Sequence, residues 1–117
     1  MAHNVAKHRL RAAEAQGYRC YYCACPIWEK DRQAFCTRYR LGPRQAAMLQ
    51  STAEHLVARR DGGGNGRANI AAACLFCNRS RHTVATPKSA AAYRDHVRTR
   101  MRKGRWLAGA LPLPPQV

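Results

Sequence analysis

Glu54 and His55 stand side by side in a chain that carries only six acidic residues. A carboxylate is a hard oxygen ligand suited to Mg²⁺ or a related divalent ion, which keeps most of its waters and binds phosphate oxygens. Imidazole can take a proton from water at neutral pH. A cation on a phosphate and a base for the attacking water are what phosphodiester hydrolysis requires. Three further features follow in order: the run Gly62-Gly63-Gly64-Asn65-Gly66, then Asn69 before Ile70, then Asn78 directly after Cys77. Adjacent residues of a regular strand point to opposite faces. Glu54 and His55 can therefore share a site only where a strand ends or bends, and the glycine run permits such a loop. Asn69 suits side-chain-to-backbone hydrogen bonds that hold a loop, and Asn78 is a second candidate ligand. Taken singly, each has an ordinary explanation as a surface pair, a turn residue or a helix cap.

Two cysteine pairs frame this stretch, Cys20-x-x-Cys23 and Cys74-x-x-Cys77. Four thiolates at tetrahedral positions suit zinc, and four protein ligands leave no open position for chemistry. The gap between the pairs far exceeds the ~15–20 residues of simple zinc ribbons, so a separate structure must be inserted there. Cys25 follows Cys23 too closely for spacing to tell it apart and ranks as a spare thiol. Cys36 reads as a small buried or free thiol.

The elements that must carry these residues are modest. At 117 residues the chain suits one small domain. Its 46% hydrophobic content is inflated by alanine, so a core this thin needs a metal, disulfides or a partner. Asn4 is placed to cap a helix running through Ala15, with Gly17 as its stop and Ala6, Leu10 and Ala13 as its apolar stripe. Thr86-Pro87 reads as the start of another helix, with Tyr93, Val97 and Met101 as its buried stripe and Gly104 as its end. Arg94, Arg98 and Arg102 keep the same rhythm one step round. Between Ile27 and Ser51 the pattern is weak. Arg32, Arg38, Arg40 and Arg44 alternate with Phe35 and Tyr39, a mixture that serves phosphate contact and base stacking or equally a short hairpin and a helix with solvated arginines. The tail, residues 107–117, is proline-rich and reads as extended or disordered.

Twenty-one Lys and Arg against six Asp and Glu leave a formal charge of +15, the electrostatic footprint of a nucleic-acid binder. No apolar stretch approaches the ~18 residues that span a bilayer, and no secretory signal pattern opens the chain. A soluble cytoplasmic protein with reduced thiols is expected.

In their order and spacing, Glu54-His55, Gly62-Gly63, Asn69-Ile70, Cys74-Leu75-Phe76-Cys77 and Asn78-Arg79 resemble the HNH endonucleases of the ββα-metal, or His-Me finger, class. The resemblance covers about Tyr18 to His82. It implies an α+β fold: a small ββα-metal core with a four-cysteine zinc knuckle over residues 18–86. An N-terminal helix (1–17) and a basic C-terminal helix (87–106) would flank it, the latter as an added basic platform. It further implies that His55 is the general base, that Glu54 and Asn78 bind the catalytic Mg²⁺ or other divalent ion, and that Asn69 orients the loop and His55. Cys20, Cys23, Cys74 and Cys77 would hold structural zinc. Arg59, Arg60, Arg67, Arg79 and Arg81 are the candidate contacts to the nucleic-acid backbone, and His82 an additional phosphate or metal contact. The expected partner is DNA, with RNA also compatible. Asn78 stands where histidine is more frequent in the family, and glutamate where aspartate is. Two alternatives share the same residues: a non-catalytic zinc-stapled nucleic-acid-binding module, and an accessory protein of a phage or mobile element whose nuclease core needs a partner.

Overall fold

The computed structural model describes residues 2–107, with side chains from Asn4 onward. Helix α1 (Ala2–Ala15) is followed by the first cysteine pair, then α2 (Arg32–Tyr39) and α3 (Pro43–Ala47). Strand β1 (Ser51–His55), a loop, β2 (Ile70–Cys74) and α4 (Leu75–Arg81) follow, and α5 (Ala90–Arg102) closes the described chain. The result is a small α+β domain built on one two-stranded sheet. Among the described residues no helix is long and apolar enough to cross a membrane. The residues 108–117 of the proline-rich tail lie outside the described residues.

β1 and β2 pair antiparallel in a register that sets Ser51 against Cys74, Glu54 against Ala71 and His55 against Ile70. β2, with the sequence IAAAC, is buried along its whole length. Its three alanines let α1 approach closely, and α1 packs on both strands. The free edge of β2 is covered locally. The Gln16 amide accepts from Ala72 N at 3.1 Å and donates to Ala72 O at 2.8 Å, as a neighbouring strand would. Tyr21 N also donates to Ala72 O at 2.9 Å. An unpaired edge of five residues is thereby covered by one side chain and one loop amide.

Several helix boundaries depart from expectation. α1 begins at Ala2, so Asn4 lies inside it rather than capping it; a cap is worth only about 1 kcal/mol, and nothing ahead of Asn4 interrupts the helix. Gly17 does end it, at φ +68. Ala13 faces the core, but Leu10 is 40% exposed and does not belong to the buried face. α5 starts after Ser89, whose hydroxyl accepts from Ala92 N, rather than at Thr86-Pro87. The segment ahead of it is held out of the helix because the buried Arg81 takes the Lys88 carbonyl at 3.2 Å. Tyr93 and Val97 are buried and Met101 half-buried against the core.

The insertion, the segment between Ile27 and Ser51, contains two helices and no hairpin. Asp31 caps α2 through its carboxylate, and Pro43 sits in the first turn of α3. Trp28 closes the insertion at its neck: its amide donates to Leu49 O, its carbonyl accepts from Ser51 N, and its indole donates to Ala46 O at 2.7 Å. α2 and α3 therefore leave and return at one point beside the start of β1.

Candidate metal centre and polar cleft

Cys20 and Cys23 lie in the loop after α1, Cys74 ends β2, and Cys77 lies in the first turn of α4. All four are buried, and their sulfurs lie within 4.8 Å of one another. Zn–S bonds of ~2.3 Å at tetrahedral angles require sulfurs about 3.8 Å apart; Cys23 Sγ and Cys74 Sγ are 3.9 Å apart. Backbone amides converge on the cluster: Tyr22 N and Cys74 N donate to Cys20 Sγ, and Cys77 N donates to Cys74 Sγ, each at 3.3 Å. Such bonds favour thiolate over thiol. The donor set fits a structural metal such as zinc. Hydrogen bonding from Cys20 above all, then from Cys25, Cys74 and Cys77, pulls the Cys23 thiol well below its ordinary range. Hydrogen bonding with Cys20 pushes Cys74 and Cys77 the other way. Cys25 is buried beside the cluster, its thiol pushed up by its bond to Cys23 and by burial.

α5 and the turn that follows it are more than a basic platform, because together they seal this centre. The Trp106 indole donates to Cys77 Sγ at 3.3 Å, and Tyr93 Oη donates to Cys77 O at 2.8 Å. The Arg98 guanidinium donates to the carbonyls of Tyr22 and Tyr21 in the cysteine loop. Arg94 stacks over the Tyr21 ring at 4.9 Å. None of these links was foreshadowed by spacing; the Arg94 and Arg98 positions read only as a charged helix face.

A polar cleft of about 370 Å³ lies at the far end of β1, lined by Glu54, His55, Arg59, Arg60, Asn78 and His82 among others. Glu54 and His55 both reach it because His55 is the last residue of β1. The loop beyond turns sharply. Gly63 packs so closely that a Cβ there would sit 1.7 Å from Val57 O. Asn69 staples this loop, accepting from Val57 N at 2.9 Å and donating to Val57 O at 3.0 Å and Gly64 O at 2.8 Å.

The Glu54 carboxylate is 2% exposed. Its Oε2 accepts from Tyr22 Oη at 2.8 Å and from Arg81 Nη1 at 3.0 Å, and its Oε1 lies 3.1 Å from His82 Nε2. Burial, with this carboxylate beside it, pushes the Tyr22 phenol far above its ordinary value near 10. Arg81 also donates to the carbonyls of His55, Leu56 and Lys88 and is 4% exposed. It cannot serve as a phosphate contact, which corrects the expectation for that residue: its guanidinium is consumed by the fold. Arg59, Arg60, Arg67 and Arg79 are exposed. Arg60 is steadied by Ala85 O at 2.8 Å.

Two orientations in the cleft follow from the chemistry of their partners. Asn78 Nδ2 faces Ala53 O at 3.2 Å and Thr52 Oγ1 at 3.0 Å. A carbonyl only accepts, so the nitrogen must be on that side and Oδ1 is left as an oxygen donor. His55 Nε2 lies 2.9 Å from Asn65 Oδ1, and that oxygen also accepts from Arg59 Nη2 at 3.3 Å. A guanidinium only donates, so the Asn65 oxygen is fixed and His55 Nε2 carries the proton toward it. The Nδ1 atom then holds the lone pair. Arg59 Nε, 3.4 Å from Nε2, would need the lone pair there; the two contacts exclude each other, and the shorter one, 2.9 Å to Asn65, sets the tautomer. Asn65 is thus a partner of His55 that the sequence offered only as one member of a flexible run. Comparison with known proteins adds nothing to this geometry: no protein-family model, curated protein or solved structure matches the chain.

Proposed function

We propose that this protein is a metal-dependent nuclease of the HNH kind, hydrolysing DNA phosphodiester bonds from the polar cleft. The observation that carries the reading is the meeting of Glu54, His55, Asn78 and His82 on one cleft with Arg59 and Arg60 beside it. On this reading β1, the stapled loop, β2 and α4 form a ββα-metal core, and the four-cysteine centre holds zinc. The donor set fits a hard divalent ion: Glu54 Oε1, shared only with His82, and Asn78 Oδ1 are the oxygens not committed to the fold. Such an ion, when bound, supplies positive charge to the scissile phosphate and the departing 3′ oxygen. His55, with Nε2 tied to Asn65, accepts the proton of the attacking water at Nδ1. Asn69 keeps the loop that holds Asn65 and His55 in register. Arg59, Arg60, Arg67 and Arg79 hold the backbone without reading sequence. His82 is the third candidate ligand once it leaves its bond to Glu54.

One feature favours the second reading, a non-catalytic zinc-stapled nucleic-acid-binding module: Glu54 is already neutralised by Arg81. Plasmid cleavage separates the two. The purified protein is incubated with Mg²⁺, with Mn²⁺ and without added divalent ion, beside a His55→Ala variant. Metal-dependent nicking or linearisation that His55→Ala loses while still binding DNA is the expected result. Salt-sensitive binding without cutting under either ion overturns the nuclease assignment, and undiminished cutting by His55→Ala overturns His55 as its general base.

A further inference from the structure

A second cleft, of about 440 Å³, opens between the end of α1 and the insertion and shares no residue with the first. Its walls carry four aromatic residues, Tyr18, Trp28, Phe35 and Tyr39. Tyr18 is 49% exposed. Trp28 and Tyr39 are half-buried, and Phe35 packs against Tyr39 at 4.8 Å between ring centroids. The indole nitrogen of Trp28 is satisfied by Ala46 O, which orients that ring. The Arg38 guanidinium lies over the Tyr39 ring at 5.3 Å, and Asp31 adds a carboxylate to the lining.

We propose that this cleft receives an unpaired nucleobase from a nucleic-acid strand. The chemistry separates a base from the other occupants of an aromatic cleft on a basic protein. A formal charge of +15 recruits polyanions, and Arg38 provides a cation beside the cleft for a flanking phosphate. Two cations, Arg19 and Arg38, line the cleft with a single carboxylate, Asp31, which caps α2. The aromatic walls therefore take the flat uncharged ring while its flanking phosphate meets the arginines. The aromatic walls suit a flat ring, and stacking tolerates any base because each has a π-face. The site needs neither His55 nor a divalent ion, and it holds whether or not the polar cleft hydrolyses its ligand. It also separates the arginines of the insertion: Arg38 lines the cleft, whereas Arg32, Arg40 and Arg44 do not.

Fluorescence anisotropy without added divalent ion tests the site with two labelled strands of equal length, a thymidine homopolymer and a deoxyribose-phosphate strand without bases. Both carry the same charge. The wild-type protein should bind the thymidine strand about tenfold more tightly. Tyr18→Ala should erase most of that preference, and Tyr18→Phe, which keeps the ring, should retain it. Equal binding of the two strands by the wild-type protein overturns the site whatever the variants do, and would leave the cleft to a protein partner. An undiminished preference in Tyr18→Ala, or its loss in Tyr18→Phe, overturns it as well.

Discussion

Replacing Arg81 with methionine removes one member of a buried charge pair and leaves Glu54 behind. In the native protein the guanidinium bonds Glu54 Oε2 and Tyr22 Oη and the carbonyls of His55, Leu56 and Lys88. With Glu54 2% exposed and Arg81 4% exposed, the Oε2 side of the carboxylate faces the protein interior and water replaces the lost partner poorly. Breaking such a pair from one side costs about 3–5 kcal/mol, against a total stability on the order of 5–15 kcal/mol for a small domain. Urea unfolding of the zinc-loaded protein, followed by circular dichroism, should therefore show Arg81→Met losing about 3–5 kcal/mol, at least about a fifth of its stability. The double variant Glu54→Gln/Arg81→Met should recover part of the loss, because the stranded charge is gone; the two changes are coupled rather than additive. Arg79→Met, two residues earlier on α4 and exposed, should change stability by less than about 0.5 kcal/mol. A loss below about 1 kcal/mol for Arg81→Met would refute the reasoning and return Arg81 to the set of phosphate contacts.

Two further outcomes follow from the metal centre and its surroundings. Cys74→Ser, or a strong chelator acting on the wild-type protein, should unfold the domain, since structural zinc contributes about 10–16 kcal/mol in small metal-stapled domains and the apolar core is thin. Helical circular dichroism that survives complete metal removal would show that the cysteine cluster is not the staple. At alkaline pH the phenols of Tyr22 and Tyr93 are held neutral by burial, in each case as the leading cause, with Glu54 next for Tyr22 and Cys77 next for Tyr93. Their folded pKa values lie above the unfolded value near 10, so their contribution is complete below that pH and is lost as pH rises beyond it. Each costs about 1.4 kcal/mol per pH unit in that range. Tyrosinate absorbance and loss of helix should therefore rise together for these two residues, and full ionisation in a folded protein would contradict the burial.

The cysteine cluster was legible because four thiols in two spaced pairs have few other uses in a thin-cored chain. The two long helices were legible from elementary physics, an apolar stripe stopping at Gly17 in α1 and a four-residue rhythm in α5. The strands around the glycine loop, by contrast, were expected only because the family resemblance implies a ββα core. The insertion was not legible. α2 buries only Phe35, so no periodic face announces it, and its shape is set by Trp28 at the neck rather than by its own residues. Arg81 was invisible for a different reason. In a chain with 21 basic residues, one buried guanidinium carries no mark in the sequence, and its partner Glu54 lies 27 positions away. Trp106 and Arg98 were hidden likewise, because their contacts to Cys77 and to the cysteine loop depend on how α5 and the turn after it are laid across the centre.

The neck at Trp28 has a bearing on how this domain can change. Because the insertion leaves and rejoins the scaffold at one doubly hydrogen-bonded point, its length is nearly uncoupled from the rest of the fold. Doubling a tethered loop adds only about 0.6 kcal/mol of closure entropy, while the metal centre and the polar cleft keep their own supports. The residues from Glu29 to Leu49 are not exchangeable in the same way: Glu29 is paired with Arg9 of α1, Met48 O accepts from Phe76 N of α4, and Phe35, Leu41, Ala46 and Leu49 belong to the core. Extra residues can be spliced in ahead of α2, at the exposed Lys30, with the core side chains of the segment, the sheet and the four sulfurs left as they are.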